Sequence, residues 1–306
     1  MALSFYRETI NSQGEELLEH GTTLLPVGCY DDDMKKYPVP WHWHDEMEAL
    51  IVLEGKAEVA VGTEKYILGP GEGCFINANI LHATRNFEEE PCRSHSVCFH
   101  PRLVGGSLDS VFWQNYLRPL LEDKSFAMVC FSPEVSWHAK AMEDLESAWH
   151  SCVEEPAGYE FLIRDRLSHL IFLLKENRPA VKSRASEKAL RDAERMKRML
   201  QYVQEHYAEE LDVAQIAESA MISASECLRC FRSTIGTTPM QYVIEFRIQM
   251  AAELLAGTEE KITEVGTRCG FQEMSYFAKT FRKLKGCTPS EYRKKIQRSA
   301  GGMTHV

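Results

Sequence analysis

The stretch Ser223-Ala-Ser-Glu-Cys-Leu-Arg-Cys-Phe-Arg232 decides how the second half of the chain is read. Ser223 followed three residues later by Glu226 is a capping box that opens a helix. Cys227, Cys230 and Phe231 then fall at i, i+3 and i+4, one buried face that leaves Ser225, Leu228, Arg229 and Arg232 outward. Just upstream, Asp212 followed by Gln215 caps a preceding helix, and only a short turn separates the two. This spacing predicts a helix-turn-helix.

Fifty residues on, the pattern returns. Phe231-Arg232 matches Phe281-Arg282, Gly236 matches Gly286, Thr238-Pro239 matches Thr288-Pro289, and Tyr242 matches Tyr292. Ile216-Ala217 aligns with Val265-Gly266 at an offset of 49, so the second copy carries one extra residue in its turn. Its helix buries Phe277, Thr280 and Phe281 and turns Ser275, Ala278, Lys279 and Arg282 outward, behind weaker caps at Lys261 and Glu273. Arg229 and Lys279 occupy matching positions, where a long cation can hydrogen-bond the guanine acceptors of a major groove. With Ser225 and Ser275 they are the base-reading candidates. Arg232 and Arg282, together with Lys283 and Lys285, are placed for phosphate. The alternative for each cation is a solvated surface. Cys227-x-x-Cys230 has the spacing of a redox or metal motif, but both residues face inward and no second pair sits at zinc-finger spacing, so they read as core.

Charge is distributed to match. The 306 residues carry a net charge of −10, yet residues 1–186 hold 17 basic against 29 acidic side chains while residues 187–306 hold 18 against 16. From Lys279 to Arg298 there are eight basic residues and one acid, Glu291, so the positive field sits where phosphate is expected. A 44% hydrophobic, 26% charged composition excludes a disordered chain and suffices for two cores. No apolar run approaches membrane length, the N-terminus lacks a secretory pattern, and ten scattered cysteines suit a reducing compartment. The expectation is a cytoplasmic protein with no membrane association.

Between residues 28 and 98, β-rich runs such as Ala49-Leu-Ile-Val-Leu53, Ala57-Glu-Val-Ala-Val61, Gly73-Cys-Phe-Ile76 and Ser94-His-Ser-Val-Cys-Phe99 alternate with Gly, Pro and Asn signals, which predicts an antiparallel barrel or sandwich. Helical spacing follows in Ala139, Met142, Leu145, Trp149 and Cys152, then in Ile163, Leu167, Leu170, Ile171 and Leu174. These two helices can cover the barrel, form a dimer contact, or both. His42-Trp-His44-x-x-x-Glu48 places three potential ligands in a β-rich segment, and their shared parity in an unbroken strand would point them to one face.

Residues 190–298 resemble the DNA-binding domain of the AraC/XylS family. The likeness is strongest in Ile262-Thr-Glu-Val-Gly-Thr-Arg-Cys-Gly-Phe271, Ser275-Tyr-Phe-Ala-Lys-Thr-Phe-Arg282 and Gly286-Cys-Thr-Pro-Ser-Glu-Tyr-Arg293. It implies two subdomains joined by a long helix over 240–256, with recognition helices in adjacent major grooves roughly 34 Å apart. Residues 28–100 resemble the two cupin motifs, with His82 the third histidine; Asn77 and Asn79 depart from the pattern, standing where proline and glycine are expected. Three imidazoles and a carboxylate suit a divalent transition metal such as Zn, Fe, Mn or Ni. The same residues equally suit a metal-free effector pocket, with Trp41 and Trp43 as walls.

The expected architecture is therefore α+β in two domains. Residues 1–177 form a cupin-like β-barrel followed by amphipathic helices, the effector-binding and dimerisation domain. Residues 178–188 are a linker, 189–298 an all-α double helix-turn-helix, and 299–306 a tail. The leading function is a sequence-specific, non-enzymatic transcription regulator. It would respond to a small molecule, a sugar or related metabolite, and act as a homodimer on a double-stranded operator, with RNA polymerase as partner if it activates. The alternatives are a metal-dependent cupin enzyme fused to a DNA-binding module and a direct metal-ion sensor.

Overall fold

The computed structural model describes residues 20–35, 39–123, 125–177 and 187–301. Two compact units divide these residues, one running to Glu194 and the other from Arg195. Of the expected linker over 178–188, residues 178–186 lie outside the described residues, as do 302–306 of the expected tail.

In the first unit the strands are β1 (Val27–Asp33), β2 (Val39–His42), β3 (Met47–Glu54), β4 (Ala57–Val61), β5 (Glu64–Leu68), β6 (Gly73–Ile76), β7 (His82–Asn86), β8 (Arg93–Phe99) and β9 (Met128–Phe131). They make two antiparallel sheets, ordered β1-β8-β3-β6-β9 and β2-β7-β4-β5. Successive side chains on a strand face opposite ways, and the larger sheet is apolar on both sides. Leu50, Val52, Cys74 and Ile76 bury against Ala57 and Val59 of the smaller sheet. Met47, Ala49, Ile51, Phe75, Val97 and Phe99 bury on the other side against helical residues.

Those residues come from α3 (Ser136–Glu154) and α4 (Tyr159–Asn177), preceded by the short helices α1 (Arg102–Gly105) and α2 (Arg118–Leu121). Leu145, Trp149 and Cys152 of α3 and Ile163, Leu167, Leu170 and Ile171 of α4 all join that cluster. The two helices thus cover the outer face of the larger sheet. Buried Asp144 binds them to each other, its carboxylate accepting from His169 Nδ1 at 2.5 Å.

The second unit contains the later part of α5 (Glu187–His206), then α6 (Val213–Ser219), α7 (Ala224–Thr234), α8 (Pro239–Gly257), α9 (Ile262–Arg268), α10 (Met274–Lys285) and α11 (Pro289–Gly301). The unit boundary falls inside α5. Helix α8 serves both repeats. Its first half sets Tyr242 against Phe231 of α7, ring centroids 5.9 Å apart. Its second half buries Ile248, Ala251, Ala252 and Leu255 with Val265, Phe277 and Phe281. Apolar faces on more than one side of α8 follow from this double duty. Thr238 and Thr288, each followed by proline at the first helical turn, start α8 and α11 in the same way: the hydroxyls accept from Gln241 and Glu291 backbone N–H groups, both at 3.3 Å.

Candidate functional site

Helices α6 and α7 form the first helix-turn-helix, and α9 and α10 the second. Turn 220–223 has four residues and turn 269–273 has five, which accounts for the shift in repeat offset from 50 to 49. Asp212 and Gln215 form the reciprocal capping box, with bonds of 2.8 Å each way. The second expected box is only half made. Ser223 Oγ accepts from Glu226 N at 3.2 Å, but the Glu226 carboxylate turns to two cations, Arg195 Nη1 at 3.1 Å and Arg229 Nη2 at 3.2 Å. A charged partner outbids the neutral backbone N–H that a capping box offers.

Both recognition helices bury the predicted faces, Cys227, Cys230 and Phe231 on α7 and Phe277, Thr280 and Phe281 on α10. Ser225, Arg229 and Arg232 on α7 and Ser275, Lys279, Arg282 and Lys283 on α10 are exposed. Lys285 differs: it is half-buried and its ammonium donates to Gln249 Oε1 of α8. On α7, Ser225, Leu228, Arg229, Arg232 and Ser233 line one open depression. Cys227 is a core thiol, pushed up to about 12 first by burial and then by Cys230; a thiol so raised is a poor nucleophile or metal ligand.

In the first unit, His42, His44, Glu48 and His82 bring their ligand atoms within 4.8 Å of one another. They do not share a strand, as parity suggested. His42 ends β2, His44 lies in the connection that crosses to the other sheet, and Glu48 sits near the start of β3. His42 and His82 are direct cross-strand partners in the smaller sheet, rings 4.1 Å apart. The crossing segment therefore closes the cluster. It is pinned by Asn79, which donates its backbone N–H to His44 O at 2.8 Å and its amide to Asp45 Oδ1 at 2.8 Å. Asn77 donates to Leu120 O at 2.8 Å and Phe126 O at 3.0 Å, tying the end of β6 to the segment that leads into β9. Trp41 and Trp43 flank His42 and are half-buried.

Each imidazole of the cluster gives its Nδ1 to a backbone carbonyl: His42 to Pro40 at 2.8 Å, His44 to Glu46 at 3.1 Å, His82 to Ile80 at 2.7 Å. A carbonyl can only accept, so Nδ1 carries the hydrogen in all three. Their Nε2 atoms are left to the interior, where Glu48 Oε2 stands 3.0 Å from His82 and 3.4 Å from His44. Lone pairs and a carboxylate converging this closely require a proton or a cation among them. Burial opposes ionisation of Glu48, but His44 and His82 outweigh it and hold the carboxyl well below its usual range, their Nε2 atoms donating to it when the rings carry a second proton.

Comparison with known proteins agrees with both halves. A helix-turn-helix domain model matches residues 216–295 and a cupin domain model matches 35–98. An uncharacterized HTH-type transcriptional regulator of Bacillus subtilis, YdeC, is 29% identical over 93% of this chain and 97% of its own. The HTH-type transcriptional activator RhaS of Klebsiella pneumoniae is 23% identical over 90% of this chain and 96% of its own. This is an AraC-type transcription regulator with a cupin domain. Among solved structures, the DNA-binding domain of AdpA in complex with a target DNA is similar at 32% identity over 33% of this chain and 91% of that one, with a TM-score of 0.32.

For an AraC-type regulator, the structure gathers what the sequence separated. The four cupin residues meet, and both recognition faces present the expected cations except Lys285. Sequence reading missed Asn79 as the clamp on the His44 segment and Glu226 as the partner of Arg229. It also missed His20 and Cys98, which lie beside the cluster. Only Glu226 had a local signal, its i,i+3 spacing to Arg229. Among the described residues no helix is long and apolar enough to cross a membrane.

Proposed function

We propose that this regulator responds to a small polar metabolite of the sugar type, bound in the cupin domain, and that the response changes how its two recognition helices engage an operator. Residues 1–177 would be the effector-binding and dimerisation domain, with residues 178–188 linking it to the DNA-binding domain at 189–298. The observation that carries this reading is the polar cluster of His42, His44, Glu48 and His82, its three histidines buried, between the sheets of the cupin domain. A buried polar cluster is retained at a cost unless it is satisfied by a partner. Trp41 and Trp43 are the walls in this reading. Arg229, Lys279, Ser225 and Ser275 read bases, and Arg232, Arg282, Lys283 and Lys285 hold phosphates. A homodimer would engage paired half-sites in the cytoplasm, with RNA polymerase as partner if it activates, as the name of the RhaS relative suggests. The relatives named above are transcription regulators, which supports a regulator rather than an enzyme.

The convergence of the His44 and His82 Nε2 atoms on one carboxylate, with a His42 nitrogen within 4.8 Å, favours a second reading, in which a divalent metal is the effector or its anchor. The set fits such an ion: nitrogen and oxygen donors in one cluster, each imidazole fixed through Nδ1 by a carbonyl. His42, His44, Glu48 and His82 would hold it, and the ion would polarise an oxygen of a bound ligand.

Metal analysis of freshly purified protein, followed by operator binding with and without chelator across a panel of sugars, separates the two. Metal-free protein whose DNA binding shifts with a sugar supports the first reading. Loss of the response on chelation, restored by one ion, supports the second, and indifference to both treatments overturns both.

A further inference from the structure

Beside the four-residue cluster lies a second, softer one. His20, His44 and Cys98 are all buried, and their ligand atoms lie within 4.8 Å of one another. Cys98 reaches this place through strand pairing. It stands directly opposite Glu48 on β3 and Gly28 on β1, and residues paired in this way share a face of the sheet. His20 precedes β1 and packs against His44, ring centroids 5.1 Å apart.

We propose that His20, His44 and Cys98 form a metal site for a thiophilic ion, of the Cu(I), Zn(II) or Cd(II) class, distinct from the His42, His44, Glu48 and His82 set and sharing only His44 with it. A thiolate and two imidazoles make a softer donor set than three imidazoles and a carboxylate, and donor softness is what sorts such ions. Both imidazoles are already oriented from behind. Tyr30 Oη is 2.6 Å from His20 Nδ1, and Glu46 O is 3.1 Å from His44 Nδ1. An ion would therefore be met by Nε2 of each ring, with Tyr30 and the carbonyl as outer-shell partners. Room for Tyr30 depends on Gly28, where a β-carbon would stand 2.5 Å from the Tyr30 hydroxyl.

Bonds of about 2.0 to 2.3 Å place tetrahedral ligand atoms roughly 3.5 Å apart. Side-chain movements of about 1 Å complete the site. On binding, the Cys98 thiol releases its proton to solvent and its sulfur donates the lone pair to the ion. His44 Nε2 serves one ion at a time, so filling this site withdraws a donor from the harder one.

Cadmium is the probe, because its bond to thiolate gives an ultraviolet charge-transfer band that imidazole and carboxylate do not. The full chain, kept reduced and stripped of metal, is titrated with Cd(II) alone. One equivalent is expected to develop the band. Cys98→Ser should abolish it and weaken Cd(II) binding at least tenfold, and His20→Asn and His44→Asn should each weaken binding at least tenfold. His82→Asn should keep the band with affinity within about threefold. A band that survives Cys98→Ser, or that His82→Asn removes as fully as Cys98→Ser does, overturns the proposal, as does the absence of any band in the unsubstituted chain. Should Cys98→Ser fail to fold, unchanged Cd(II) affinity in His20→Asn overturns it independently.

Discussion

A β-carbon on Gly266 would stand 2.9 Å from Cδ1 of Phe277, closer than real side chains approach. The equivalent pair in the first repeat is Ala217 and Cys227, both buried. The large phenylalanine of the second repeat thus stands against glycine, while the first repeat, with alanine at the glycine position, has the much smaller cysteine at the phenylalanine position. Close packing makes such exchanges reciprocal.

Gly266→Ala should therefore destabilise the DNA-binding unit by about 1 to 3 kcal/mol through overpacking. Phe277→Leu, costing stability alone, should recover part of that loss when combined with it. A double-mutant cycle by urea denaturation checks the coupling; additive losses would remove it.

Arg229→Ala and Lys279→Ala should each cost about 1 to 3 kcal/mol at the operator and relax base choice at separate positions. Lys285→Ala should weaken binding less than Lys283→Ala, because the Lys285 ammonium is held by Gln249. Selection from randomised DNA gives the base preferences, and salt titration the phosphate contacts. Equal weakening on all sequences would make Arg229 and Lys279 phosphate ligands.

Glu226 orients Arg229 and also carries a negative charge on the recognition helix. Glu226→Gln should raise affinity for unrelated DNA while lowering discrimination at the base Arg229 contacts, since repulsion of phosphate and restraint of the guanidinium are lost together. Competition between operator and bulk DNA measures both effects at once. Unchanged discrimination would leave Glu226 a purely structural partner of Arg195.

Asn77 is buried and satisfies two carbonyls, of Leu120 and Phe126. Asn77→Ala should destabilise the cupin domain by about 2 to 4 kcal/mol, as two buried acceptors lose their donor. Asn79→Gly should cost less, because the backbone there is left-handed, with φ of 61°, which glycine adopts freely. Thermal unfolding of the two variants ranks them; a milder effect for Asn77→Ala would reverse the assignment.

The sequence by itself determined the DNA-binding half. Helix-turn-helix units are built from contacts a few residues apart, so caps such as Asp212–Gln215, buried stripes such as Cys227, Cys230 and Phe231, and the repeat at fifty residues are all written locally. Both recognition faces followed from spacing alone. The long helix α8, found over Pro239–Gly257, was expected over 240–256 from the family resemblance. In the first half, strands β3, β4, β6 and β8 were legible from alternation. Strand β9 was not, because its place beside β6 is decided by pairing across some fifty residues.

Tertiary structure decided the cluster. His42 and Glu48 belong to different sheets, so their meeting depends on where the chain crosses between them and on the Asn79 clamp, neither of which leaves a periodic signature. Cys98 stands opposite Glu48 through register, and His20 reaches His44 from a segment with no pattern of its own. The pairing of Glu226 with Arg229 was similarly undetermined, since a carboxylate at that position can reach back to the helix start or forward to a cation, and Arg195 of α5 tips the choice. Local periodicity fixes which residues are buried together within an element; only packing between elements fixes which functional groups meet.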